Sequence, residues 1–140
     1  MTKVFLDTNV ILDSLIARIP YDKEANTILV ESETFGSELC VTGITIADLN
    51  YLARKKLGKP QVREQLRILE TLLSLIPIDN STVRSALESD FTDVEDSLQN
   101  FAAAQSGAKI IIIRNPKDFK TSSLEVLEPD AFIKKYHTES

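Results

Sequence analysis

The chain is poor in the residues that build soft-metal sites and stapled folds. One cysteine, Cys40, and one histidine, His137, stand among 140 residues, and tryptophan is absent. A lone thiol cannot close a disulfide framework, and one Cys with one His cannot complete a zinc site. Cys40, between Leu39 and Val41, reads as a small buried apolar residue. His137 reads as a solvent-exposed bystander. Linkers rich in Pro, Gly or Ser, internal repeats and low-complexity stretches are also missing. The expectation is one domain over residues 1–136 with a loose tail at 137–140. No apolar run approaches the ~20 residues of a membrane span. No signal-peptide pattern opens the chain, so no membrane association and a cytoplasmic location are expected. Positive charge is in deficit, with 16 Lys and Arg against 21 Asp and Glu, a net charge of −5. That disfavours broad electrostatic adhesion to nucleic acid or anionic lipid. It leaves room for a local site where a bound cation reverses the sign.

What is present fits an ordinary globular domain, with 43% hydrophobic and 26% charged residues. Short apolar runs recur at 4–6, 39–41, 75–78, 110–113 and 125–127, and read as strands. Helical patterns lie between them, at 22–35, 44–57, 61–74 and 81–90. Within 61–74, Val62, Leu66, Leu69 and Leu73 repeat at steps of four and three, and Pro60 suits a helix start. A further helix opens at Thr92-x-x-Glu95, which fits a capping box, and stops at Gly107. Strands alternating with helices predict an α/β fold with a parallel sheet and helices on both faces.

Polar residues fall at comparable places in this frame. Asp7, Thr8 and Asn9 follow the first strand. Asp48 lies in the first turns of the helix after the strand at Leu39, and Asp96 in the first turns of the helix from Thr92. Asn115 and Asp118 follow the isoleucine strand. In a parallel sheet the carboxyl ends of the strands share one edge, where sites are built. Asp7 and Thr8 also suit a helix cap, Asp48 and Asp96 a helix N-terminus, and Asn115-Pro116 an N-cap with Pro at N1. Asp93 and Glu95 read as capping and dipole residues. Singly, each capping role is as good as a site role; jointly, an acid cluster explains them together. Clustered carboxylates stay ionised only beside a cation or at raised pKa. A hard divalent ion takes oxygen ligands, needs neither Cys nor His, and serves phosphoryl chemistry.

The strings LDTNVILD, TGITIADLNYLARK and FTDVEDSLQNFAAAQSGAKIIIIRNPKDF resemble the ordered motifs of the PIN-domain family, from Val4 to Phe119. The resemblance implies a three-layer fold with about five parallel strands. It also implies Mg²⁺- or Mn²⁺-dependent cleavage of single-stranded RNA, most often as the toxin of a type II toxin–antitoxin pair, with a small antitoxin and a homodimer as partners. By the same resemblance Asp7 and Asp96 would hold the ion with Asn115, at a position where many members carry Asp. Asp48 and Asp118 would be further catalytic acids. Thr8, Asn9 and Arg114 would contact substrate or position Asp7. Two departures stand out. Asp48 replaces the usual Glu and is one methylene shorter. Ile113 replaces a usual Thr or Ser. They motivate an alternative: a PIN fold that binds RNA or a partner with weak or lost nuclease activity. Arg54, Lys55 and Lys56 form a short basic run that reads as a solvated helix face or as a phosphate contact. A phosphatase of the haloacid-dehalogenase type is disfavoured, because Asn9 stands where that motif has its second Asp.

Overall fold

The structure, a computed structural model, describes residues 1–136. Five parallel strands form one sheet in the order β3-β2-β1-β4-β5. They are β1 (Thr2–Leu6), β2 (Ser37–Val41), β3 (Ser74–Leu75), β4 (Ile110–Ile112) and β5 (Glu125–Leu127). The helices are α1 (Thr8–Leu15), α2 (Asp22–Val30), α3 (Gly43–Leu57), α4 (Lys59–Leu72), α5 (Asn80–Glu88), α6 (Val94–Gln105) and α7 (Pro129–Tyr136). A 3₁₀ turn spans Pro116–Phe119. The expected α/β architecture is the one observed.

The central strands are apolar on both sides because both faces of the sheet are covered. Register puts Val4 beside Leu39 and Ile110, and Phe5 beside Cys40 and Ile111. The two-residue alternation then sends Val4, Leu6, Leu39, Ile110 and Ile112 into one core with residues of α1, α2, α3, α4 and α7. Phe5, Cys40, Ile111 and Ile113 enter a second core with Ala102 and Ala103 of α6 and Phe119. Cys40 is fully buried there, and burial pushes its thiol up to about 11, so it is an inert packing residue.

Several boundaries differ from the sequence reading. The helix expected at 22–35 stops at Val30. The one expected at 61–74 runs from Lys59 to Leu72, and the strand expected at 75–78 is only Ser74–Leu75. The capping box at Thr92 does not form. Asp93 is the cap, accepting a 2.8 Å bond from the Asp96 amide; the helix starts one residue later than expected, and a carboxylate there serves its third N–H. Asn115 makes no side-chain cap to the turn that Pro116 opens. Gly107, at φ +88°, ends α6 in the left-handed region that a side chain would resist. The helix α7, not read from the sequence, covers one end of the first core through Phe132, which is fully buried. His137 and the rest of the expected tail lie outside the described residues.

Candidate active site

β1 ends at Leu6 and delivers Asp7 as the N-cap of α1, where its Oδ2 accepts from the Asn9 amide at 3.1 Å. Asp7 is therefore a cap, but its carboxylate also opens into a cleft. That cleft, of about 520 Å³, lies beyond the carboxyl ends of β1, β4 and β5 and is lined by Asp7, Asn9, Asp96, Arg114, Asn115 and Asp118. Tyr21, Glu24, Ile113, Glu128, Pro129 and Asp130 complete the wall. The amide Nδ2 of Asn115 donates to Asp118 Oδ2 at 3.3 Å. Asp96 reaches the cleft from the first turn of α6.

The electrostatics of this wall follow from its composition. Burial raises Asp7 above the ordinary carboxylate range against bonds from Asn9 and Thr8 and the charge of Arg114; Asp118 adds to the rise. Asp96 is pushed up to about 6 by burial and by the charges of Asp93, Asp7 and Asp118. Glu24 is also raised, by burial and by Asp130 and Glu128. Like charges facing one another behave this way, and a cation among them would lower each carboxyl again.

Two expected site residues lie elsewhere. Asp48, on α3, is not among the residues lining the cleft. It shares a carboxyl–carboxylate hydrogen bond with Glu95, which that bond, burial and the charges of Asp48, Asp93 and Asp96 push up to about 7. Glu95 was read as a helix-dipole residue, yet it links Asp48 to Asp96, its neighbour in sequence. Thr8 is buried, and its Oγ1 finds no hydrogen-bond partner among the described residues. The basic run at Arg54–Lys56 closes α3, where cations suit the helix C-terminus. Asp13, Arg18 and Tyr21 were not singled out from the sequence. Asp13 is a carboxylate directly after the apolar run Val10-Ile11-Leu12, and that setting was the available signal.

The donor set is oxygen-rich and free of sulfur and imidazole, which suits Mg²⁺ or Mn²⁺. Among the described residues no three of His, Cys, Asp and Glu close into a ready-made metal cage. An open site is what Mg²⁺ commonly uses, with one or two carboxylates and the rest water or substrate phosphate. Asp7 and Asp96 are raised chiefly by burial, and the charge of Asp118 adds to both, a repulsion that a bound cation would offset.

A PIN domain family model matches residues 3–117. Ribonuclease VapC1 of Aquifex aeolicus (strain VF5) is 29% identical over 144 residues, covering 97% of this chain and 96% of that protein. A toxin–antitoxin complex from Klebsiella pneumoniae matches with a TM-score of 0.69 at 21% identity, over 90% of this chain and 97% of that one. VapBC2 from Rickettsia felis, bound to a DNA fragment from its promoter, matches with a TM-score of 0.67 at 19% identity, over 91% and 98%. The sheet, the motif order and the family model agree: this chain belongs to the PIN domain family.

Proposed function

We propose that this protein is a divalent-metal-dependent endoribonuclease that cuts single-stranded RNA, acting as the toxin of a type II toxin–antitoxin pair in the cytoplasm. The observation that carries this reading is the shared cleft of Asp7, Asp96 and Asp118, with Asp7 raised by burial and by Asp118, and Asp96 by burial and by Asp93, Asp7 and Asp118. The similarity to Ribonuclease VapC1 over nearly the full length of both chains supports the activity. The solved toxin–antitoxin relatives support an antitoxin partner, and a homodimer belongs to the same reading.

Asp7, Asp96 and Asn115 would hold Mg²⁺ or Mn²⁺. The ion, when bound, polarises a phosphoryl oxygen and lowers the pKa of water. The protein's own groups do the rest. The backbone amides of Asn9 and Thr8 fix the Asp7 carboxylate where it faces the cleft. Asn115 holds Asp118 Oδ2 by its amide, so Asp118 keeps one oxygen for an attacking water or an ordered one. Thr8, Asn9 and Arg114 position Asp7 or meet substrate phosphate. Asp48 stands back from the cleft beside Glu95, so any part it takes in catalysis would be through that neighbour or an ordered water.

Asp48 behind the cleft wall and Ile113 on it favour a second reading, an RNA- or partner-binding module with weak or lost cleavage. One experiment separates the two. The protein is incubated with a labelled single-stranded RNA in Mn²⁺ or in EDTA, alongside Asp96→Asn. The nuclease reading expects cleavage in Mn²⁺ alone and a loss of at least about 100-fold in the variant, on the scale of removing one electrostatic element of a site. Binding without cleavage, or equal cleavage by the variant, overturns it in favour of the binding module.

A further inference from the structure

Asp13 is the one carboxylate of α1, and it is 1% exposed amid Val10, Ile11 and Leu12. A buried carboxylate without a partner is strongly disfavoured. Here two guanidinium groups serve it: Arg18 Nε stands 2.9 Å from Oδ1 and Arg114 Nε 3.1 Å from Oδ2. No directed hydrogen bond completes Asp13 Oδ1, Arg18 Nε or Arg114 Nε among the described residues, so the pairing is one of charge. Burial raises Asp13 more than the two arginines lower it. An apolar side chain could pack this position at least as well, since exchanging buried ion pairs for hydrophobic residues is often neutral or stabilising.

What the triad does is aim its arginines. Arg114 lines the cleft, and its guanidinium lies 4.4 Å over the ring of Tyr21, which lines it too. Its Nε side is turned to Asp13 and one face is covered by Tyr21, which leaves the terminal nitrogens as its free edge. Arg18 donates from a terminal nitrogen to Asn9 Oδ1 at 3.2 Å. That bond engages the acceptor of the Asn9 side-chain amide and leaves its NH₂, unpartnered among the described residues, beside the cleft. The triad carries a net charge of +1. It stands in a wall that otherwise presents Asp7, Asp96, Asp118, Glu24, Glu128 and Asp130.

We infer that Asp13 is a positioning residue: through Arg114 and Arg18 it builds a phosphate clamp from the Arg114 terminal nitrogens and the Asn9 amide, which grips a backbone phosphate of single-stranded RNA at the edge of the acidic cleft. This rests on reading the cleft as an RNA site. Arginine suits the task because its planar fork can face Asp13 on one side and a phosphate on another. Lysine has a single compact charge and must give up one of the two.

The test follows the Nε–H signals of Arg114 and Arg18 by ¹H–¹⁵N NMR in EDTA while a single-stranded RNA pentanucleotide is added, so that cleavage plays no part. The wild type should show a shift of the Arg114 signal, with affinity falling as salt rises. Arg114→Lys and Asp13→Asn should each bind about tenfold more weakly, and each should lower the salt slope by about 0.7, the value of one single-strand phosphate contact. Combining Asp13→Asn with Arg114→Lys should add little. No shift of Arg114 at millimolar RNA, wild-type binding by Arg114→Lys, or independent additive losses would each overturn the clamp. Arg114→Lys keeps the test decisive if Asp13→Asn does not fold. Failure of the nuclease reading is recognised separately, as equal RNA cleavage with and without Asp96, and leaves these binding outcomes to stand alone.

Discussion

Asp96 bears the greatest electrostatic strain of the cleft-lining acids. Burial and three neighbouring aspartates lift it from 3.8 to about 6. Between those values the folded protein holds a proton that the unfolded chain has released. The proton-bound form therefore adds stability at acid pH, and that contribution is lost as pH rises through 6. In metal-free protein at pH 7.5, Asp96→Asn should match or exceed the wild type, by about 1 kcal/mol after discounting for solvent screening. At pH 4 the two should melt together. Thermal unfolding in EDTA at both pH values checks this; a large loss of stability at pH 7.5 would assign Asp96 a structural role. Asp7, Asp96 and Asp118 were legible in the sequence because acids after strands and at helix starts repeat in order; Glu24, Glu128 and Asp130, which also line the cleft, were not singled out. Their partners were not legible either. Asp13 and Arg114 lie at opposite ends of the chain, and only the β1–β4 pairing that ends at Leu6 and Ile112 brings them together. Glu95 looked like a dipole residue because Asp48, which gives it a different role, lies on another helix.

At the level of elements, α6 is the post to which the site is tied. Gln99 Oε1 accepts from Thr42 Oγ1 and from Thr45 Oγ1, both at 2.9 Å, which fixes α6 to the start of α3. Asn100 Oδ1 accepts from Ser122 Oγ at 2.6 Å and holds the segment before β5. Gln105 Oε1 accepts from Thr82 Oγ1 at 2.7 Å and joins α5. All three anchors sit on the helix that carries Asp96, so the placement of that carboxylate depends on polar contacts as well as on packing. Gln99→Leu leaves two buried hydroxyls without their acceptor and should cost about 2–3 kcal/mol in chemical unfolding; a loss below about 0.5 kcal/mol, the range of ordinary surface substitutions, would show that the network adds nothing. Element type was largely readable from periodicity, whereas ends were not. Asp93 displaces Thr92 as the cap, a choice between two good acceptors that only the three-dimensional path decides. β3 is short because it is an edge strand paired to β2 alone, with two residues in register.

Across the whole molecule, a net charge of −5 and an acid-lined cleft oppose a polyanionic substrate. The opposition is local and, on the proposed reading, would be met locally: by the triad around Asp13 on one side, and by a divalent ion among Asp7, Asp96 and Asn115 on the other. A phosphate can meet the Arg114 edge without metal, whereas the acids inside the cleft call for a cation before they can meet one. A ligand that binds only the folded state raises stability by about 2.7 kcal/mol at a hundred times its dissociation constant. The decisive measurement is the shift in melting temperature on adding Mn²⁺ to the wild type and to Asp7→Asn. A saturable rise in the wild type that is absent from Asp7→Asn is expected. No rise in the wild type, or the same rise in both, would contradict a metal site built on Asp7.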